Sequence, residues 1–174
     1  MKKRGAMGFT VIESLIVLLI TGVLVSIALS SMHGYFERTK LRNTVELVAA
    51  HIRQARWLAR TRSATCTIVF DTASQAYVIS GEQASALPEG TRFGIDPSVS
   101  GRPSDPYTEP PQDGVSFYGG NNRNNFARFY PSGVVAPTGA VYITDGKETM
   151  AITVAITGRP KIWKSCGGRR WVSL

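Results

Sequence analysis

The chemistry-bearing residues of this chain cluster at its C-terminal end. The last seventeen residues, GRPKIWKSCGGRRWVSL, carry Arg159, Lys161, Lys164, Arg169 and Arg170 and no acid. Trp163 and Trp171 are interleaved with them. Cations at this density neutralise phosphates and release their counterions, and indole rings stack on bases or cover an apolar edge. The bland alternatives are a contact with another protein subunit, a solvated cationic face, or an anionic lipid surface. A second basic group, Arg53, Arg56 and Arg60 with Arg62 nearby, recurs at helical spacing and reads as a solvated ridge or as an anion-facing one. Gly101-Arg102-Pro103-Ser104 offers one cation inside an acidic stretch and is a decoy.

Catalysis finds no support. The chain has no phosphate-binding glycine loop, no Gly-x-Ser-x-Gly and no dinucleotide fingerprint. His33 and His51 have no acidic or thiol partners at ligand spacing and read as surface or packing residues. No catalytic residue, metal ligand or cofactor is expected.

Charge and length bound the rest. The 174 residues suffice for one modest globular domain, and 20 Lys and Arg against 12 Asp and Glu give +8. That balance favours a polyanionic partner. Removing residues 1–8 takes away three cations and leaves +5, which the tail alone supplies, so the basic character is focused.

The elements that must carry these residues begin with an apolar run. Lys2, Lys3 and Arg4 precede Phe9–Leu29, 21 residues with one charge, Glu13. In a helix it spans about 30 Å, the thickness of a bilayer's hydrocarbon core, and the basic flank predicts that the remainder faces the periplasm or exterior. A secretory signal would have a shorter core, and a plain anchor leaves Glu13 unexplained, since a charge inside such a helix costs about 2.5–3.5 kcal/mol. Leu41, Val45, Val48, Ile52, Ala55 and Ala59 then continue a helical stripe, predicting one helix from about Thr10 to Arg62. From Thr65 the period shortens: TCTIVF, AYVIS, VSFY, FARFY, AVYIT and ETMAITVAIT read as strands, with Asp145-Gly146-Lys147 as a hairpin turn. Six of nine prolines fall in 88–111, so 81–114 reads as a mobile surface loop. The expected class is α+β: a leader at 1–8, a long helix at 9–63 that is membrane-spanning to about 31 and then amphipathic, and a small antiparallel β-sandwich head at 64–174 ending in the basic segment 158–174.

Gly8-Phe9 followed by Thr10-Val11-Ile12-Glu13 resembles the processing site of type IV prepilins and of the pseudopilins of type II secretion. With the Arg-rich helix end and the first strand TCTIVF, the whole chain is similar to the GspH/FimT family of minor pilins and pseudopilins. The resemblance implies cleavage after Gly8 by a prepilin peptidase, methylation of the Phe9 amine, and assembly through Glu13 paired with that amine on a neighbouring subunit. It implies other pilins as partners and residence in the inner membrane before entry into a pilus or pseudopilus. The FimT branch includes DNA-binding pilins of natural transformation with a GRxR motif, which Gly158-Arg159-Pro160-Lys161 resembles with Lys in place of the second Arg. DNA is therefore the expected partner, and Arg159, Lys161, Lys164, Arg169 and Arg170 its expected contacts. The alternatives are a structural tip or priming pilin, a secretion pseudopilin without DNA binding, and a single-pass protein that never enters a filament. Cys66 and Cys166, the only two cysteines of an exported head, are expected to form a disulfide, with two free buried thiols as the alternative.

Overall fold

A computed structural model describes residues 11–119 and 122–174, with side chains throughout except at 28–38 and 122. The leader, Gly8 and Phe9 lie outside the described residues, as does the side chain of His33. One helix, α1 (Val11–Thr61), runs through two compact units, Met1–Thr39 and Lys40–Leu174.

In the first unit the large apolar side chains of the helix between Val11 and Ile27 are exposed. Two hydroxyls of this stretch bond back onto the helix: Thr21 donates to the Val17 carbonyl (2.6 Å) and Ser26 to that of Gly22 (2.9 Å). Such back-bonding satisfies the hydroxyls without any outside partner. Among the described residues no helix is long and apolar enough to cross a membrane. The side chains of the apolar run are described only as far as Ile27.

The second unit folds because the helical stripe finds two sheets to bury it. Leu41, Val45, Val48, Ile52, Ala55 and Ala59 are all buried. The helix ends at Thr61, and Ser63 takes a left-handed conformation (φ 50°) that turns the chain into the first strand. The first sheet centres on β1 (Cys66–Asp71), flanked by β2 (Ala76–Ile79) and β7 (Phe126–Phe129), with β3 (Ser85–Ala86) and β8 (Val135–Ala136) outside them. The second runs β12 (Trp171–Ser173), β11 (Pro160–Ser165), β10 (Thr149–Val154), β9 (Thr138–Thr144), β5 (Val115–Gly119), β6 (Asn122–Asn124), and β4 (Arg92–Phe93) also pairs with β9. All these pairings are antiparallel. The α+β class is thus the one adopted.

Alternation sets the faces. In β1, Cys66, Ile68 and Phe70 are buried while Asp71 is exposed, as period two requires. Phe70 stacks on Phe117 of the other sheet with ring centroids 5.7 Å apart, so the two sheets share a core with the helix. The β9–β10 hairpin pairs Thr144 with Thr149 through Gly139 with Val154. The Asp145 carboxylate caps its turn by accepting the N–H groups of Lys147 and Glu148.

The stretch 81–114 is not a free loop. The strands β9 and β10 are apolar on both faces, and their outer face needs a cover. Residues 95–101 supply it: Ile95 joins Ala140, Tyr142 and Ala151 in a second cluster against which Trp163 and Trp171 pack. Backbone bonds Ser100 N–H to Gly168 O (3.0 Å) and Gly168 N–H to Ser98 O (2.8 Å) fasten it, and the Trp171 indole N–H donates to Gly101 O (2.8 Å).

Candidate polyanion-binding groove

Three turns of α1 present Arg53, Arg56, Trp57, Arg60 and Thr61, whose spacing puts them on one face beside the buried stripe. Arg159 and Pro160 form the other wall, where the chain enters β11. Together these seven residues line a groove of about 690 Å³.

Two turns pack against the Arg56 side chain. Tyr130–Gly133 closes with a 2.8 Å bond from Gly133 N–H to Tyr130 O, and Ala155–Gly158 with one of 2.8 Å from Gly158 N–H to Ala155 O. Gly158 has φ 68°, and a Cβ there would lie 2.7 Å from the Gly133 carbonyl oxygen and 3.0 Å from Arg56 Cδ. Only glycine fits. The half-buried Arg56 donates from Nε to Gly133 O (3.1 Å), which fixes its guanidinium while its Nη donors stay unbonded among the described residues.

The electrostatics are one-sided. Among the described residues no carboxylate pairs with Arg53, Arg56, Arg60 or Arg159; the ion pairs join Arg42 to Glu46, Arg123 to Asp113 and Lys164 to Glu148, each at 2.8 Å. Four like charges around one groove repel, and a polyanion relieves that repulsion. Arg60, in the last turn, is partly offset by the negative end of the helix dipole.

The sequence placed the tail cations together, and the fold separates them. Arg159 joins the helix ridge. Lys161 is exposed with its Nζ 4.1 Å from the Trp163 ring centroid. Lys164 is held by Glu148. Arg169 lies over Tyr107, and with Arg170 and Arg102 it lines a separate hollow of about 410 Å³ beside Trp171. Nor is the tail a loose segment, because β11 and β12 pair as an edge hairpin through the turn from Cys166 to Arg170.

Both tail tryptophans serve packing. Trp163 donates from its indole to Thr153 Oγ1 (2.9 Å), and Trp171 sits edge-on to Tyr142. The exposed indole is Trp57, at 62% exposure, which the sequence reading passed over. Its signal was its place: off the buried stripe and between arginines at i−4, i−1 and i+3.

The expected disulfide is not formed, and both cysteines are free. Cys66 faces the core from β1 in the first sheet, while Cys166 is exposed in the β11–β12 turn of the second. Parity of cysteines says nothing about register, and these strands belong to different sheets. Burial pushes the Cys66 thiol up, partly countered by the Arg62 charge. His51 is a packing histidine, its Nδ1 2.6 Å from the Tyr77 hydroxyl. Among the described residues no three His, Cys, Asp or Glu side chains gather where they could hold a metal ion. Glu13 lies on α1 near the first of the described residues.

A family model described as type II transport protein GspH matches residues 44–158, from the amphipathic half of α1 to the glycine that precedes Arg159. No curated protein and no solved structure matches the chain.

Proposed function

The chain belongs to the GspH family of minor pilins and pseudopilins, and from that premise we propose that it is a filament subunit whose head binds DNA non-specifically. The family is structural, works with other pilins or pseudopilins in assembly, and is associated with the pilus or pseudopilus. The finer reading is that prepilin peptidase cuts between Gly8 and Phe9 and that the new amine is methylated. The apolar run Phe9–Leu29 then holds the subunit in the inner membrane until assembly, with Glu13 pairing with a neighbour's Phe9 amine. The inward-bonded hydroxyls of Thr21 and Ser26 support that environment, because they ask nothing of their surroundings.

One observation carries the DNA reading: four arginines with no carboxylate partner among the described residues converge on one groove, three from α1 and one from the segment entering β11. Phosphate oxygens are the acceptors that guanidinium forks match best. Lys161, Arg169 and Arg170 lie outside this groove and add only to the positive field of the head, while Lys164 is shared with Glu148. Such contacts position a duplex without reading its sequence.

The test is fluorescence anisotropy of a labelled duplex against the detergent-solubilised chain across a salt series. Four phosphate contacts predict a slope of log affinity on log salt of roughly −3.6. Arg53→Glu with Arg159→Glu should abolish binding while circular dichroism stays unchanged. An affinity indifferent to that double change, or no binding at low salt, would leave a structural pilin or a secretion pseudopilin as the function.

A further inference from the structure

The geometry points to single-stranded nucleic acid as the polymer this groove takes, with its phosphates on Arg53, Arg56, Arg60 and Arg159 and a base stacked on the Trp57 indole. The inference rests on the DNA-binding reading and names its substrate class. Charge alone makes the groove a site for any polyanion; Trp57 makes it selective.

The indole is mostly exposed and engages no hydrogen bond or ring contact among the described residues. The chain's other tryptophans in the head spend their N–H groups on Thr153 and Gly101 and their faces on packing. Trp57 instead stands amid the groove's arginines, with Arg53 and Arg60 on its own helix face and Pro160 lining the same groove. A solvated aromatic plane flanked by guanidinia is the platform on which bases of an unpaired strand stack, because every base has a π-face whatever its identity. A duplex offers phosphates but keeps its base faces covered by their neighbours. An acidic protein segment offers carboxylates but no plane to lie on the indole. Only the unpaired strand uses both features of the groove.

The experiment compares three probes of equal length on the detergent-solubilised full chain: oligo-dT, an abasic phosphodeoxyribose strand and a duplex. Oligo-dT should bind tightest. Trp57→Ala should weaken oligo-dT by roughly 5- to 150-fold, the range of one lost stacking contact, while the abasic strand and duplex hold their affinities. Trp57→Phe should restore most of the loss. The salt slope should stay put in both variants, since no phosphate contact is removed. Equal binding of all three probes, or a Trp57→Ala loss shared equally among them, overturns the single-strand inference and leaves the DNA reading standing. Binding of none overturns both. Self-association of the chain that Trp57→Ala abolishes, with oligo-dT affinity unchanged, would assign the indole to a second copy and overturn the inference as well.

Discussion

Gly158 directs Arg159 to the helix ridge through backbone geometry rather than charge. Its left-handed φ and the 2.7 Å gap that a Cβ would leave to Gly133 O make it the residue that lets the Ala155–Gly158 turn nest on Tyr130–Gly133. Gly158→Ala should therefore cost about 1–3 kcal/mol, combining left-handed strain with the contact, read as a lowered Tm. Because the turn must shift, polyanion affinity should fall even though no charge is lost. An unchanged Tm would mean that the two turns do not nest as described. The cysteines give a second residue-scale test. With both thiols free and Cys66 buried at a raised pKa, iodoacetamide on the unreduced native chain should add one label, at Cys166, and denaturant should expose the second site. A pre-formed bridge would give no label in either condition.

Strands β9 and β10 show where the element pattern was readable and where it was not. The helix from Val11 to Thr61, the strand at Cys66–Asp71 and the hairpin around Asp145–Gly146–Lys147 follow from apolar period and turn chemistry alone. The continuous apolar runs AVYIT and MAITV are buried on both faces, but the cover comes from 95–101, which holds Asp96 and Pro97 and lies in the stretch whose prolines read as a mobile surface loop. Contacts such as Trp171 to Gly101 span seventy residues and leave no local signature. Likewise KIWKS alternates Ile162 inward with Lys161 and Trp163 outward, a strand pattern hidden beneath its charges. The groove was half legible: the Arg53–Arg56–Arg60 spacing gave one wall, whereas its pairing with Arg159 depends on tertiary placement. Tyr142 tests the buried outer cluster. Among the described residues its hydroxyl makes no hydrogen bond of good geometry, and burial pushes its pKa up to about 12 against the lowering pull of Arg102 and of the nearby Ser116 hydroxyl. Between about pH 10 and 12 the native chain holds a proton that the unfolded chain releases, so stability falls as pH rises through that window. Tyr142→Phe should raise stability by about 1 kcal/mol near neutrality by removing an unsatisfied hydroxyl, and should flatten the alkaline decline. Denaturant titrations of both proteins at pH 8 and pH 11 would check this, and a less stable Phe variant would show that the hydroxyl is satisfied after all.

At the scale of the whole molecule, the chain divides its tasks between its two compact units, Met1–Thr39 and Lys40–Leu174. The first has the exposed apolar side chains between Val11 and Ile27, with Glu13 among them; the second has the core and the basic groove. Under the filament reading Glu13 lies inside the apolar bilayer, where a carboxylate costs about 2.5–3.5 kcal/mol on insertion and an opposite charge offsets that cost. In that reading the amine of a processed Phe9 on the next subunit would be such a charge, and the pairing would favour extraction from the membrane only where a neighbour waits. Glu13→Ala removes the cost and the reward together. That variant should insert at least as well as the native chain and should still be cut to a species beginning at Phe9, as intact mass would show. Its incorporation into filaments should drop sharply. Because the groove belongs entirely to the second unit, the same variant should bind polyanions with native affinity and an unchanged salt slope. Incorporation at the native level would break the link between Glu13 and assembly, and lost polyanion binding would show that the two units do not act independently.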